Sequence, residues 1–468
     1  MSEGKYTKLG KNTLWMTIGT FSTRLLSFFM VPLYTSCLST SEYGTSDLLT
    51  VTVSLLIPLL TVTAAEGVIR LTLDKEMNKS QVFAIATNLF FGGLLVLLVV
   101  SPFLLKWIGL QEYSMYFFLY YISAAFSSIL LQFVKGLEHI RRFVFSGILS
   151  SATNIGCNIL FLLLFKMGIE GYLLAMIIGN GIQILYLFFT ENIWKYYVVP
   201  WKIDKRMLRV FLTYCIPLIP NSISWWISNS SDRYMLSYFS SAAILGIYSV
   251  AYKIPSIVSV ISNIFTGAWQ ISAVENFGDD ESIHFFSNVY HKYSTLYVIG
   301  CSFVILFIKV LAKILFANEF YNAWPYAIIL TFAAIFQAMG GFLGIIYGAA
   351  MKTKEIFTTT MAGAIINIVL NFVLIPFWGA MGAAVSTLIG YAVVWFVRVV
   401  SSKKFLPIKL KWKAIGLSYL ILTLQCIVTI AGIPFWYVFS VLLTISLILI
   451  NRFEFIDIMS VIISKIKR

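Results

Sequence analysis

The sequence predicts an all-α polytopic membrane protein with about fourteen transmembrane helices. Of its 468 residues, 59% are hydrophobic and only 12% are charged, and the mean hydropathy is +0.87. A soluble chain carries charge on about a quarter of its residues, so this chain has too few charges to cover a water-exposed surface. Long apolar segments, and an unequal distribution of Lys and Arg between the loops that join them, support the same fold class.

Apolar segments of about 20 residues are long enough to cross the hydrocarbon region as helices. Fourteen such segments occur, and most are joined by short connections. Their predicted ranges are 12–37, 44–70, 81–104, 114–134, 143–165, 170–190, 208–238, 243–272, 288–312, 323–350, 357–376, 381–400, 413–431 and 435–450. An even number of spans places both chain ends on the same side of the membrane.

The basic residues are distributed very unevenly between the two sides of the membrane. With the N-terminus in the cytoplasm, 26 of the 34 Lys and Arg residues fall on the cytoplasmic side. Only four face outward, namely Lys106, Lys166, Lys309 and Lys313. This excess follows the positive-inside rule, and it predicts fourteen spans with both termini in the cytoplasm.

Two segments of the chain repeat one pattern of Asn and Gly residues. Segment 153–190 covers the fifth and sixth predicted spans, and segment 366–400 covers the eleventh and twelfth. The matched residues are Asn154 with Asn367 and Asn158 with Asn371 at an offset of 213, and Gly168 with Gly379, Gly171 with Gly382 and Gly179 with Gly390 at an offset of 211. Because a repeat of six spans starts twice from the same side, the two copies are parallel, related by an axis along the membrane normal.

The repeat divides the chain into three parts. Residues 1–206 form a first lobe of six transmembrane helices, and residues 207–400 form a second lobe of six. Residues 401–468 contain a charged cytoplasmic linker, the last two transmembrane helices and a basic tail. Apolar residues recur near one helical face of the tail, which ends Lys-Ile-Lys-Arg, and this pattern predicts an interfacial helix on the cytoplasmic leaflet.

Four cations lie within the apolar segments instead of in loops: Arg24, Arg70, Arg233 and Lys253. A cation in hydrocarbon costs about 3 kcal/mol or more, so such residues usually face a water-filled interior and serve a function. A cavity lined mainly by cations suits an anionic substrate, and Arg binds phosphate oxygens through two parallel hydrogen bonds. We therefore predict that these four residues bind the substrate.

These cations also have structural interpretations. An ion pair between Arg24 and Asp47 or Glu66 would stabilise the helix bundle, and Arg70 follows Glu66 at the favourable i,i+4 spacing. Arg233 is placed where a long side chain reaches the outer membrane interface. On the sequence alone, both interpretations are open.

The seventh predicted span is polar compared with its neighbours. It contains two prolines, and a run of Asn and Ser residues leads to Asp232 and Arg233. Proline leaves helix carbonyl groups without their usual partners, so this span needs water or polar side chains beside it. Successive helix residues point about 100° apart, so Asp232 and Arg233 face different partners. We predict supporting roles near the substrate for Asp232, Asn221 and Glu66.

The sequence shows no pattern typical of an enzyme. Its three histidines are scattered at positions 139, 284 and 291, no catalytic or nucleotide-binding motif occurs, and no external loop is long enough for a catalytic subdomain. The five cysteines are isolated and odd in number, which indicates neither a disulfide framework nor a zinc site. We expect a protein that is not an enzyme and has no cofactor or metal, while a coupling ion, Na⁺ or H⁺, is left open.

Two stretches resemble the polysaccharide-unit flippases, which handle O-antigen and capsule repeat units within the multidrug/oligosaccharidyl-lipid/polysaccharide exporter superfamily. The first runs from Pro217-Leu-Ile-Pro-Asn-Ser-Ile-Ser-Trp-Trp to Ser231-Asp-Arg-Tyr-Met-Leu, and the second is Gly246-Ile-Tyr-Ser-Val-Ala-Tyr-Lys-Ile-Pro255. The turn Leu38-Ser-Thr-Ser-Glu-Tyr-Gly44 is also similar to that family, more weakly. The resemblance implies a two-lobe transporter, shaped as an inverted V, in a bacterial plasma (inner) membrane.

By this resemblance, the protein flips undecaprenyl-diphosphate-linked oligosaccharide repeat units from the cytoplasmic to the outer leaflet by alternating access through a cationic central cavity. The implied partners are the lipid-linked glycan, membrane lipids, a polysaccharide polymerase and glycosyltransferases, and the protein is expected to be a monomer. Nucleic acid is not an expected partner, since no basic run with interleaved aromatic residues occurs.

Two other functions fit the sequence less well. A cation-coupled multidrug exporter of the same superfamily would rely on acids within the membrane, but here Asp47, Glu66 and Asp232 are outnumbered by cations. The other alternative is a non-transporting membrane scaffold of a glycan-assembly complex. That scaffold would tolerate neutralisation of the cavity charges.

Overall fold

The computed structural model of the protein describes residue 19 and residues 28–278, 281–350 and 352–466. Over these residues the chain is all-α and contains no β-strand, which confirms the predicted fold class. The α-helices are Val31–Cys37, Thr40–Leu60, Ala64–Leu73, Lys79–Ile108, Ser114–Gly136, Ile140–Asn158, Gly168–Thr190, Lys205–Cys215, Leu218–Phe239, Ala242–Ala251, Lys253–Glu275, Ser282–Leu306, Ile308–Leu315, Trp324–Ala349, Thr353–Ser401, Trp412–Ala431, Trp436–Ile450 and Arg452–Ile466.

Ten helices within the described residues are long and apolar enough to cross a membrane, and the number rises to twelve when two sharply bent helix pairs are counted as spans. Every predicted span from the second onward overlaps one of them. The longest helix, Thr353–Ser401, contains both the eleventh and the twelfth predicted spans. The two spans are separated by a break in the helical backbone at Gly379. Most of the first predicted span, 12–37, lies outside the described residues, so the count of fourteen stays a prediction.

The second predicted span, 44–70, is not one continuous helix. It breaks between Leu60 and Ala64, where Val62 and Thr63 adopt φ values of 56° and 50°. Such left-handed backbone is rare for β-branched residues, so contacts elsewhere must hold it. The Thr63 hydroxyl donates a hydrogen bond to the carbonyl oxygen of Cys215 at 2.8 Å, at the end of helix Lys205–Cys215. The prediction of one continuous helix over 44–70 was therefore wrong. The hydrogen bond to Cys215, a residue distant in sequence, stabilises the break.

The chain divides into two compact units, Met1–Ser230 and Ser231–Arg468. The second unit contains a core of stacked aromatic side chains. The rings of Trp269 and Phe342 lie 4.6 Å apart and nearly parallel, and the indole N–H of Trp395 donates to the hydroxyl of Tyr290 at 2.9 Å. These contacts join helices that are distant in sequence, and they give this unit a rigid interior against which polar side chains can be positioned.

The predicted repeat has the same local geometry in both units. In the first unit, the amide of Asn158 donates to the amide oxygen of Asn154 at 3.0 Å, and in the second, Asn371 donates to Asn367 at 3.1 Å. The turns between the paired spans pass through a glycine at positive φ, Gly168 at 57° and Gly379 at 54°.

The later glycines of each copy serve close helix packing. A Cβ atom at Gly179 would lie 3.2 Å from the Cβ atom of Asn154, and one at Gly390 would lie 3.0 Å from that of Asn367. Both distances are shorter than ordinary contacts between side chains, so each glycine lets its helix approach the Asn-bearing helix closely. Four of the five matched positions therefore have the same structural role in both copies.

Candidate functional site

A buried carboxylate forms the centre of a polar cluster in the second unit. Asp232 is only 3% exposed and lies in helix Leu218–Phe239. Its Oδ2 atom accepts hydrogen bonds from the hydroxyl of Tyr248 at 2.6 Å and from the hydroxyl of Tyr252 at 3.0 Å. Tyr248 and Tyr252 are one helical turn apart, which brings both hydroxyls to one carboxylate oxygen. A buried carboxylate is stable in an apolar surrounding only with such donors.

Arg233 extends this cluster with a positive charge. It is half-buried, and its guanidinium lies over the ring of Tyr252, 5.4 Å from the ring centroid. The aromatic face attracts a cation electrostatically, so the ring that holds Asp232 also orients Arg233. Asp232 and Arg233 thus share Tyr252 as a partner, and their opposite charges also interact with each other.

Two further helices contribute to the cluster. Tyr391, on helix Thr353–Ser401, lies close enough to interact electrostatically with both Asp232 and Arg233. Its hydroxyl accepts a hydrogen bond from the side chain of Gln337 at 3.1 Å, on helix Trp324–Ala349. The site therefore combines residues of the seventh, eighth, tenth and twelfth predicted spans.

Lys253 lies beside this cluster in the chain. It follows Tyr252 directly, is half-buried and begins helix Lys253–Glu275. Arg233 and Lys253 thus give this part of the chain two cations near one buried carboxylate in the sequence. Such a combination leaves an excess positive charge that suits an anionic group.

The other predicted site residues lie elsewhere. Arg70 and Glu66 are both exposed on helix Ala64–Leu73 in the first unit, and no ion pair joins them in the described part of the chain. Asn221 is exposed near the start of helix Leu218–Phe239. Arg24 lies outside the described residues. The structure thus brings Asp232 and Arg233 together and leaves the roles of all these residues as predictions.

Sequence reasoning missed the tyrosines. Tyr248 and Tyr252 occur in the quoted segment Gly246–Pro255, and their i,i+4 spacing on a span that follows a membrane Asp is the signal that indicates shared hydrogen bonding. Tyr391 and Gln337 have no such signal, because their proximity depends on packing between distant spans. Ordinary aromatic anchoring would produce the same residue types.

Arg398 is a second residue whose environment the sequence did not indicate. It is one of the 26 cations predicted on the cytoplasmic side, but it lies in helix Thr353–Ser401 and is only 5% exposed. Its guanidinium donates to the hydroxyls of Thr359 at 3.1 Å and Thr360 at 2.9 Å, and to the carbonyl oxygen of Gly340 at 2.7 Å. No carboxylate pairs with it among the described residues.

Comparison with known proteins supports the resemblance. Residues 9–270 match the family model described as "Polysaccharide biosynthesis protein". The chain is 27% identical over 214 residues to a probable low-salt glycan biosynthesis flippase, Agl15, of Haloferax volcanii, covering 44% of this chain and 45% of that protein. It is 32% identical over 97 residues to an uncharacterized membrane protein of Methanocaldococcus jannaschii, covering 20% of this chain and 18% of that one. The matches span less than half the length of these relatives.

Solved structures share the fold at low sequence identity. A lipid II flippase, MurJ, in an inward closed conformation aligns with a TM-score of 0.71 at 15% identity, over 95% of this chain and 99% of that one. An inward-facing multidrug resistance MATE family transporter of the MOP superfamily aligns with a TM-score of 0.66 at 12% identity, over 83% of this chain and 97% of that one. The chain is a multi-pass membrane protein that has this fold and belongs to the polysaccharide biosynthesis protein family.

Proposed function

We propose that this protein is a flippase that moves undecaprenyl-diphosphate-linked oligosaccharide repeat units from the cytoplasmic to the outer leaflet of a bacterial plasma membrane. Membership of the polysaccharide biosynthesis family supports the pathway. Two similar proteins named as flippases, one of a glycan pathway and one of lipid II, support the type of reaction. Alternating access is the proposed mechanism, as in transporters built from repeated halves.

The observation that carries the proposal is the cationic cluster around Asp232. Two tyrosine hydroxyls donate to the Asp232 carboxylate, and Arg233 interacts with it electrostatically, so the buried carboxylate supports both the tyrosines and this cation. Arg233, held on the face of Tyr252, and Lys253 are the residues of this cluster that we assign to the diphosphate. Arg24 and Arg70 are the proposed ligands in the first unit.

Reconstituted flipping of a fluorescent lipid-linked oligosaccharide tests this assignment. Loss of one charged contact to a diphosphate costs about 1.5–3 kcal/mol, which corresponds to a loss of roughly 10- to 100-fold in substrate affinity. We expect this loss for Lys253→Ala, Arg233→Ala and Arg24→Ala, at normal protein levels in the membrane. Arg24→Lys should keep part of the activity, because the charge stays while the two parallel hydrogen bonds are lost.

Lys313→Ala is the matched control, because Lys313 is an exposed lysine of the same unit as Lys253. It should flip substrate at the normal rate. Normal flipping by both Lys253→Ala and Arg24→Ala would refute the cationic mechanism. Loss of function through loss of the protein would indicate structural ion pairs instead.

A multidrug exporter is the second candidate, favoured by the structural similarity to MATE transporters and by the buried Asp232. An exporter of cationic drugs should lower dye accumulation in cells, and Asp232→Asn should abolish that effect. The flippase proposal predicts no dye efflux. A scaffold would keep glycan export when Arg233 and Lys253 are both neutralised.

A further inference from the structure

The C-terminal helix Arg452–Ile466 runs in a different direction from the helix before it. Its segment Arg452–Ser460 is inclined by 80° to helix Trp436–Ile450, and the two helices are long and apolar enough for a membrane span only when taken together. A segment nearly perpendicular to a membrane-crossing helix lies close to the plane of the membrane. We call Arg452–Ile466 the tail helix.

Both acids of the tail helix are paired with lysines from elsewhere in the second unit. Glu454 accepts a short hydrogen bond from the ammonium of Lys411, and Asp457 forms an ion pair with Lys292 at 3.1 Å. The linker that carries Lys411 is itself fixed, since the backbone N–H of Lys409 donates to the hydroxyl of Ser287 at 2.8 Å. These contacts orient the tail helix, and they neutralise its negative charges.

The exposed residues of the tail helix up to position 460 are Arg452, Phe453, Ile456, Asp457 and Ser460, and two of these are large apolar side chains. Phe453 is 67% exposed and Ile456 is 61% exposed, and the guanidinium of Arg452 lies over the ring of Phe453 at 4.8 Å from its centroid. Phe453 and Ile456 are three residues apart, so they are neighbours on the helix surface. Large apolar side chains flanked by a cation are typical of helices buried in the headgroup region of a bilayer.

The charge balance indicates which lipid surface the tail helix fits. Glu454 and Asp457, the two acids of the tail, are paired with Lys411 and Lys292 from other segments. The sequence after Asp457 adds Lys465, Lys467 and Arg468 and no further acid. The sequence of the tail thus has an excess of basic residues, which complements the anionic phospholipid headgroups of a cytoplasmic leaflet.

We infer that the tail helix is an anchor that inserts Phe453 and Ile456 into the headgroup boundary of an anionic lipid leaflet. The ion pairs to Lys292 and Lys411 hold it at a set angle, so the last two predicted spans are fixed to the rest of the second unit partly through the membrane surface. This anchor does not depend on what the protein transports.

Fluorescence from the full-length protein tests the anchor. A variant without native cysteines carries a single Ile456→Cys with an environment-sensitive dye, reconstituted into phosphatidylcholine vesicles with and without phosphatidylglycerol. We expect a blue-shifted emission and strong quenching by brominated acyl chains, both greater with phosphatidylglycerol. The same dye on Glu281→Cys, an exposed position in the loop before helix Ser282–Leu306, should stay accessible to aqueous iodide.

Two charge variants give opposite expectations. Neutralising Arg452, Lys465, Lys467 and Arg468 should remove the effect of phosphatidylglycerol, since each basic residue near the surface contributes about fivefold to partitioning. Glu454→Gln with Asp457→Asn leaves the tail more positive, so its dependence on phosphatidylglycerol should increase.

Two results would overturn the anchor. Iodide access at Ile456→Cys equal to that at Glu281→Cys would show that the tail helix faces water. Equal shielding in detergent and in both vesicle types would show that protein, either this chain or a second copy, covers the face instead of lipid.

Discussion

Residues 140–190 in the first unit and 353–401 in the second each form a pair of spans, which we call the first and the second hairpin. The two hairpins share the same backbone arrangement but differ in the side-chain contacts at their ends. Both contain the Asn pair, the glycine turn and the close glycine contacts. These features depend only on backbone approach and one amide hydrogen bond. The side chains at the two ends of each hairpin have diverged.

The turn of the first hairpin is tied to another helix by a carboxylate. Glu42 forms a capping box with Ser39 at the start of helix Thr40–Leu60, and its Oε1 atom also accepts from the backbone N–H of Ile169 at 3.3 Å, beside the turn at Gly168. In the second unit, Ser241 caps helix Ala242–Ala251 in the same way, but the residue at the position of Glu42 is Ile244.

Among the described residues, the turn of the second hairpin has weaker contacts nearby. The hydroxyl oxygen of Ser240 would lie 3.9 Å from a Cβ atom at Gly379, and Phe239 contacts Phe372 edge to face at 6.0 Å. The first hairpin is thus fixed at this end by a charged hydrogen bond, and the second by apolar contact.

The opposite ends contain buried charges of opposite sign. In the first unit, the carboxylate of Glu191 accepts from His139 at 2.7 Å and from Arg142 at 2.9 Å, and both partners are about half exposed. In the second unit, the buried Arg398 donates only to neutral oxygens. The two hairpins thus share a backbone arrangement but differ in their buried charges. The Asp232 cluster lies in the second unit, together with the buried Arg398.

The largest expected difference concerns the second glycine pair, Gly171 and Gly382. A Cβ atom at Gly382 would overlap the carbonyl oxygen of Leu374, whereas one at Gly171 would lie 2.9 Å from the Cβ atom of Phe161. A Cβ atom is fixed by its backbone, so neither neighbour can move aside easily, but the overlap at Gly382 is deeper; Gly382→Ala should cost about 3 kcal/mol of stability and Gly171→Ala about 2 kcal/mol. Thermal unfolding in detergent measures both. Equal losses would show that the two hairpins pack with the same tolerance.

Arg398 provides the next test. Arg398→Lys should destabilise the protein by about 3 kcal/mol, because an ammonium group cannot reach all three acceptors and leaves a charge buried. Arg398→Met should cost about 1 kcal/mol or less, since it removes the buried charge along with the hydrogen bonds. The control in the first hairpin, Arg142→Lys, is half exposed and should change stability by less than about 0.5 kcal/mol. Greater damage from Met than from Lys would contradict this reasoning.

The smallest expected effect is at the turns. Glu42→Ala removes the capping box and the contact to Ile169, so it should cost about 1 kcal/mol. Ser240→Ala, near the turn of the second hairpin, should change stability by less than about 0.5 kcal/mol. Hydrogen exchange at the backbone amide of Ile169 would sharpen the result, because it should rise in Glu42→Ala and stay unchanged in Ser240→Ala.

The fold class and the repeat could be predicted because both appear as local patterns in the sequence. Hydrophobic length and charged loops reflect how each segment meets the membrane, and a lipid environment acts on every span separately. The Asn and Gly pattern was visible for the same reason, since each residue keeps its place within its own helix. The break at Val62 and Thr63 has no local sequence pattern, because it depends on the carbonyl of Cys215, which is 152 residues away from Thr63 in the chain.

For the candidate site, the sequence by itself determined that Arg233 and Lys253 lie within apolar segments and that Asp232 precedes Arg233. Only the tertiary structure decided that Tyr248 and Tyr252 hold Asp232, that Tyr252 orients Arg233, and that Arg398 is buried among threonines. The physical reason is that the cost of a charge in a membrane is a local property of its segment. Which neighbours offset that cost depends on the register and rotation of packed helices, and those follow from the interlocking of all the side chains between them.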